Sequence, residues 1–241
     1  MKHTRIYHAG DITLHTTITL NVAASRHLLK VLRYKLNDVL TIFNGAGGEY
    51  QARLSAVKKS QAIVNVTDYV ETQIESQLRV HLGQGISRGE RMDYVVQKSV
   101  ELGVDKITPL YTERCGVKIS KERLAKKIAH WQAVAISACE QSGRCVVPQI
   151  MQPQTLSEWL SMQSGIAFVC DPKSNQRIPH NTEQPTSLSL LIGPEGGLTD
   201  DEIKSAYNAG LQSLSLGPRV LRTETAAVVS LSLVQHLWGD L

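Results

Sequence analysis

The sequence lacks several features that would place it in a broad class at once. No apolar run is long enough to span a bilayer. The opening Met1-Lys-His-Thr-Arg5 has none of the apolar stretch of a secretory signal. Its four cysteines, Cys115, Cys139, Cys145 and Cys170, show no Cys-x-x-Cys spacing. They are expected as reduced thiols in a cytoplasmic protein. Eight histidines are scattered without a His-Glu-x-x-His or comparable ligand set, so no metal is expected. There is no internal repeat or low-complexity tract. At 241 residues the chain can hold one large domain or two smaller ones with ample core.

What the chain does have is a pair of glycine–proline loops. In Leu188-Ser-Leu-Leu-Ile192-Gly-Pro-Glu-Gly-Gly197-Leu-Thr-Asp-Asp-Glu-Ile203 an apolar strand enters a glycine-rich turn, and a helix then opens with acidic residues. Leu216-Gly-Pro-Arg-Val-Leu-Arg-Thr-Glu-Thr-Ala226 repeats the plan. Glycine admits close backbone approach and proline stiffens the turn. Two such loops at the C-terminal ends of strands can face one another across the crevice where open α/β sheets bind ligands. The first loop carries Glu195, and Asp200, Asp201 and Glu202 follow, with Thr199 and Glu202 spaced as a capping box. Phosphate would be repelled there, and the spacing fits neither the phosphate-binding loop nor the dinucleotide fingerprint. A neutral or cationic small molecule held by main-chain groups fits better; the alternative is a tight strand–helix connection with no ligand.

Charge is uneven along the chain. The net charge is +4, yet residues 1–70 contain nine Lys/Arg against four Asp/Glu, so all of the excess lies in the first third. Either a phosphate backbone is tracked there or the surface is simply basic and solvated. Residues 16–22 alternate as a strand, and residues 23–34 read as a helix with Leu28, Val31 and Leu32 inward. On that helix Arg26, Lys30 and Arg33 recur at i, i+4 and i+7 as one basic stripe. Residues 39–43, 50–57 and 62–69 read as strands joined by tight turns, which suggests a small β-barrel. The polar stretch 71–77 suits a linker, with a boundary near residue 73.

Beyond residue 79 strands and helices alternate. Residues 79–83, 106–110, 166–170, 188–192 and 213–216 are expected strands; residues 91–102, 121–138 and 223–237 are expected helices. Alternation of this kind implies an α/β fold with a parallel sheet covered by helices.

The paired loops, together with Gly85-Ile-Ser-Arg-Gly-Glu90, Gln97-Lys-Ser-Val-Glu-Leu-Gly103, Ile107-Thr-Pro-Leu110, Glu113-Arg-Cys-Gly-Val-Lys118 and Cys139-Glu-Gln-Ser-Gly-Arg144, closely resemble the RsmE family. These are SPOUT-class methyltransferases that modify N3 of a uridine, uridine 1498, in bacterial 16S ribosomal RNA. The match runs nearly the whole length, in order. The resemblance implies a PUA-like RNA-binding barrel over residues 1–73 and a SPOUT domain over 74–241 with a C-terminal trefoil knot. Knots are rare exceptions to the rules of chain connection, and nothing in the periodicity points to one. It also implies S-adenosylmethionine as cofactor, 16S RNA of the small subunit as partner, and a homodimer.

By position in the family pattern, Ile192, Gly193, Glu195, Gly196, Gly197, Leu216, Gly217, Leu221, Arg222 and Thr223 are expected around the cofactor. Arg5, Arg26, Lys30 and Arg33 are the expected RNA contacts. Methylating N3 of uridine requires loss of the imide proton, whose charge spreads onto O2 and O4. A guanidinium would stabilise that charge and a carboxylate or water would take the proton. Candidates are Arg222, Glu224, Glu140, Arg144 and Arg88, and the sequence does not choose the base. Arg222 and Glu224 would otherwise form a structural ion pair, and Glu140 and Arg144 would be solvated charges at a helix end. The competing readings are a SPOUT-type enzyme acting on another RNA site and a non-catalytic RNA-binding relative.

Overall fold

A computed structural model describes residues 4–117, 120–176, 178 and 184–241. Lys2 and Lys118, which belong to segments discussed above, lie outside the described residues. Contacts divide the chain into two units, Met1–Glu75 with Cys139–Val147, and Ser76–Ala138 with Pro148–Leu241.

In the first unit, β1 (Arg5–Tyr7), β2 (Thr17–Thr19), α1 (Val22–Arg26), β3 (Val39–Phe43), β4 (Glu49–Lys58) and β5 (Gln61–Val70) build a five-stranded sheet ordered β1-β3-β4-β5-β2. All pairs are antiparallel except β1 with β3. Alternate residues face one core: Leu40 and Ile42, Ala52 and Leu54, Val64 and Val66, joined by Ile6, Ile18 and Leu28. Lys59 and Ser60, at φ 46° and 65°, make the left-handed two-residue turn whose twist suits the β4–β5 hairpin.

The segment after β2 departs from expectation. The strand expected over 16–22 stops at Thr19, because the Asn21 side chain accepts from Ala24 N–H and starts a helix. That helix does not run on to residue 34. After Arg26 it widens into a single π-type turn, His27–Val31, with Leu32 N–H bonded back to His27 O. The wider turn shifts the register, so Leu28 is buried while Val31 is exposed. Arg33 sits beyond it at φ 56°. Arg26, Lys30 and Arg33 are all exposed, but they do not form one α-helical stripe.

Arg5 is also placed otherwise than expected. Its guanidinium pairs with Glu49 at 3.1 Å, donates to the carbonyls of Cys139 and Arg144, and lies 4.6 Å over the Phe43 ring. It is an internal tie, not a cation held out for phosphate.

In the second unit the elements are β6 (Arg79–Gly85), α2 (Glu90–Glu101), β7 (Val104–Tyr111), α3 (Lys121–Ser142, which the first unit takes over at Cys139), β8 (Gln149–Ile150), β9 (Gln154–Thr155), α4 (Leu156–Ser161), β10 (Ile166–Cys170), β11 (Ser187–Ile192), α5 (Asp200–Asn208), β12 (Gln212–Leu214) and α6 (Thr223–Trp238). Its sheet runs β12-β10-β11-β6-β7-β8, with β9 also on β7, and every pairing is parallel. Strand period two divides the two faces. Ala167 and Val169 join Trp159, Leu160, Ala206 and Leu211 on the side of α4 and α5. Phe168 stacks on Trp238, and Cys170 meets Ser230, on the side of α6. Helices thus cover both faces, as a parallel sheet requires.

His81 of β6 is half-buried, with Nε2 accepting from the Trp159 indole at 3.2 Å and lying 2.8 Å from the Thr108 hydroxyl. Indole only donates, so this nitrogen carries no proton. Burial, with Lys106 nearby, lowers the ring's pKa from 6.5 to about 4. Above pH 6.5 both folded and unfolded chains hold His81 neutral, and its contribution is complete. As pH falls from 6.5 to about 4 the unfolded chain binds a proton that the folded chain refuses, so stability declines through that window and levels off below it. The loss should be about 3 kcal/mol. Denaturant titrations at pH 7 and pH 4.5 should show it for the wild type and much less of it for His81→Gln; equal pH dependence in the two would contradict it.

Candidate active site

Both glycine–proline loops lie at the C-terminal edge of the parallel sheet, where they follow β11 and β12. These strands flank β10 on opposite sides, so the chain reverses direction across the sheet at β10, the point where open α/β sheets bind ligands. There the two loops and the residues after β10 enclose a cavity of about 800 Å³.

The first loop is fixed by contacts from three directions. From below, β6 passes so close that a Cβ on Gly85 would stand 2.4 Å from Pro194 N. Gln84, fully buried, donates to Thr223 Oγ1 at 2.9 Å, and that hydroxyl donates to Gly193 O at 2.6 Å. The start of α6 is thereby tied to the first loop. From one side, Glu195 Oε1 accepts from Arg88 N–H at 2.8 Å and from the Arg91 guanidinium at 3.3 Å. Burial pushes this carboxyl up, but the bonds from Arg88 N–H, its own N–H and Arg91 outweigh it and hold it below the usual carboxylate range. From the other side, Arg114 donates to Gly196 O and Leu198 O. Within the loop, Gly197 N–H closes on Pro194 O at 2.8 Å, and Gly197 takes φ 68°, a conformation that a β-branched residue resists. The expected capping box is present: Thr199 and Glu202 bond reciprocally, and Glu202 Oε1 also accepts from Glu113 N–H.

All the residues expected around the cofactor line this cavity: Ile192, Gly193, Glu195, Gly196 and Gly197 from one loop, and Leu216, Gly217, Leu221, Arg222 and Thr223 from the other. Arg222 and Glu224 line it too, and among the described residues they form no ion pair and Glu224 Oε2 is buried without a hydrogen-bond partner. The other candidates lie elsewhere. Arg88 contributes its backbone N–H to Glu195 while its exposed side chain reaches Gly116. Glu140 lies inside α3, which continues past the expected end at residue 138 to Ser142, and its carboxylate accepts from Tyr7 N–H at 2.9 Å. Burial pushes its carboxyl up, against the pull of that bond and of His27 and Arg5. Arg144 pairs with Glu75 at 2.7 Å, and Glu75 Oε1 also accepts from Cys145 and Val146 N–H. Neither residue lines the cavity, and both hold the first unit together.

The cavity is also lined by Cys170, Asp171 and Pro172, a stretch less typical of the family pattern and so left out of the expected contacts, and by Lys173, Arg91 and Arg114, which the sequence did not mark. The first four were within reach, since Cys170 ends a strand that the periodicity locates and the other three follow it. Asp171 is nearly buried, with Oδ2 taking the Tyr207 hydroxyl at 2.7 Å and Oδ1 taking Lys173 N–H. The Cys170 thiol is pushed up to about 12 by burial, partly opposed by its hydrogen bond to Ser230 Oγ at 3.1 Å. Ser230 Oγ also donates to Ala226 O. Among the described residues no group of three or more His, Cys, Asp and Glu is placed to hold a metal ion.

Comparison with known proteins matches two families along the chain. Residues 74–235 match the family model of an RNA methyltransferase domain, and residues 20–67 that of an RNA methyltransferase PUA domain. The ribosomal RNA small subunit methyltransferase E of Buchnera aphidicola is 34% identical over 241 residues, covering 99% of this chain and 95% of the relative. Among solved structures, a putative methyltransferase from Legionella pneumophila in complex with bound SAM superposes with a TM-score of 0.95 at 43% identity, covering all of both chains. Another, a ribosomal RNA small subunit methyltransferase E from Neisseria gonorrhoeae bound to S-adenosyl methionine, gives 0.91 at 38% identity over 99% of each. With likeness running end to end and through both family models, the chain belongs to the ribosomal RNA small subunit methyltransferase E family.

Proposed function

We propose that this protein transfers the methyl group of S-adenosylmethionine to N3 of a uridine in the 16S RNA of the small ribosomal subunit, at position 1498 in that RNA. It works in the cytoplasm as a homodimer. The observation that carries this reading is the convergence of both glycine–proline loops on one cavity at the reversal point of the parallel sheet. The cavity suits the cofactor chemically. Ile192, Leu216 and Leu221 supply apolar walls, the loops supply main-chain groups, and a Cβ at Gly197 would meet no protein atom within 4 Å. Bound there, the cofactor supplies a methyl carbon already activated by sulfonium. The protein's task is then to align the acceptor and manage its proton. Because N3 lies on the pairing edge, the target base must be unpaired or displaced.

The same reading covers the architecture. In the second unit, the return of the chain after β12 to place Thr223 against Gly193 and Gln84 supports a C-terminal trefoil knot. In the first, one core shared by all five strands supports a closed PUA-like barrel that tracks RNA, with Arg26, Lys30 and Arg33 as phosphate contacts. These three are exposed and engage no partner among the described residues, unlike Arg5. On α6, Ala227, Leu231 and Val234 are buried while Val228, Val229 and Leu237 remain partly open and Leu233 is exposed, which supports a second copy packing on this helix.

Three measurements test the proposal. Incubation with cofactor and either small-subunit particles or free RNA, followed by nucleoside mapping, should yield N3-methyluridine at one position. A methyl group on a ribose hydroxyl or on transfer RNA would replace this reading with another. Gly197→Val forces a β-branched residue to φ 68° and should weaken cofactor binding at least about tenfold by calorimetry; unchanged binding by the folded variant would remove the first loop from the site. Replacing Arg26, Lys30 and Arg33 together with Ala should reduce the log–log salt slope of RNA binding by about one unit per lost phosphate contact, with cofactor affinity unaffected. An unaltered slope would take these residues off the RNA surface.

A further inference from the structure

Arg222 and Glu224 stand at the mouth of α6, the first as its N-cap and the second in its first turn. Thr223 between them is turned inward and held by Gln84 and Gly193 O, so the backbone that carries both side chains is fixed. Both line the cavity. The usual fate of neighbouring opposite charges is to pair, and these do not. Among the described residues, Arg222 engages no protein acceptor, and Glu224 Oε2 is a buried carboxylate oxygen with no donor. Buried polar atoms in native proteins are rarely left so. The rest of the cavity's acids are engaged: Glu195 by Arg88 and Arg91, Asp171 by Tyr207 and Lys173 N–H, Asp200 by Lys173. Among the described lining residues, Glu224 is the acid left without a donor, and Arg222, two positions before it in the chain, is a guanidinium without an acceptor, as is Arg219 farther back on the same loop.

That pattern is the complement of an imide edge. Uracil presents an N3–H donor flanked by two carbonyl acceptors, whereas cytosine presents a bare N3 acceptor beside an amino donor. Resting on the methyltransferase reading above, we infer that Glu224 and Arg222 read the edge of the target base, and that Glu224 is the group that removes its proton. The carboxylate accepts N3–H while the guanidinium donates to the adjacent carbonyl. As the N3–H bond breaks, the proton passes to Glu224 and the charge left on the base is held against Arg222. The N3 electron pair then forms the bond to the methyl carbon, whose bond to sulfur breaks with its electrons staying on sulfur as a neutral thioether. The protonated carboxyl returns its proton to water after release. Cytosine, which has no proton at N3, would set a lone pair against the carboxylate and be refused.

The test is Glu224→Gln. Its amide can still meet N3–H but cannot take the proton, and by flipping it can also donate to a cytosine N3. Without cofactor, the wild type should bind its target RNA about tenfold or more tightly than the same RNA carrying cytidine at the target, and the variant should lose most of that preference. With cofactor, kcat should fall about 100-fold or more and recover steadily as pH rises toward the ionisation of uridine itself. Cofactor binding and melting temperature should stay at wild-type values. Glu224→Asp, which keeps a carboxylate, should retain more activity at neutral pH than Glu224→Gln. Near-wild-type kcat in Glu224→Gln, or an unchanged uridine preference, overturns the inference. So does selective loss of cofactor binding, which would make Glu224 a cofactor ligand. Failure of the functional reading looks different: the wild type itself would then give no N3-methyluridine.

Discussion

Three stretches of chain far apart in sequence meet where β6 ends, and the rest of the second unit depends on how closely they pass. Gly85 allows Pro194 to lie against β6 without a side chain between them. Gln84 reaches across the same gap to Thr223, and Thr223 to Gly193 O. Each contact alone is modest, about 1 kcal/mol net for a buried hydrogen bond. Together they fix where the first loop turns, where the last helix begins and how far apart the two loops stand. Packing that is tight at backbone level leaves few alternative arrangements, because interiors tolerate neither voids nor overlap.

Around that junction, charge serves for positioning more than for binding. Glu195 looks from the sequence like a residue that faces a ligand, yet its carboxylate is taken by the N-terminal end of α2 and by Arg91. Arg114 holds two carbonyls of the same loop. In the first unit, Arg5 with Glu49, and Arg144 with Glu75, do comparable work, and Glu75 also satisfies two backbone N–H groups. These half-buried pairs contribute through the geometry they impose, since partner-for-partner replacement by apolar groups is often neutral while removal of one member is costly.

The sequence carried the fold a long way. The parallel α/β order, β10 residue for residue, the capping box at Thr199 and both ligand loops could all be read from local pattern, since each is encoded within a few residues. What escaped was set by distant partners. Nothing near Arg5 announces that its guanidinium will meet Glu49 and Cys139 O, and nothing near Arg144 announces Glu75. The π-type turn at His27 replaces an α-helical repeat that the apolar spacing supports equally well. Short edge strands such as β1, β8 and β9 exist because a neighbour offers them hydrogen bonds, so their own residues give little sign. The lining residues at the end of β10 differ again: Cys170-Asp171-Pro172 departs from the family pattern, so the sequence marks the strand more firmly than its ligand contacts.

The pairing of Cys170 with Ser230 bears on how the cavity survives what enters it. Any pocket that admits an alkylating molecule exposes its own walls to the same reactivity, and sulfur is the softest nucleophile a protein owns. Thiolate, not thiol, is the reactive form. With its thiol pushed up to about 12 by burial, Cys170 brings sulfur's bulk and polarisability to the wall while keeping the proton that thiolate reactivity would require it to lose. The pocket is lined there by a cysteine that stays a thiol at neutral pH and packs as a small apolar side chain would.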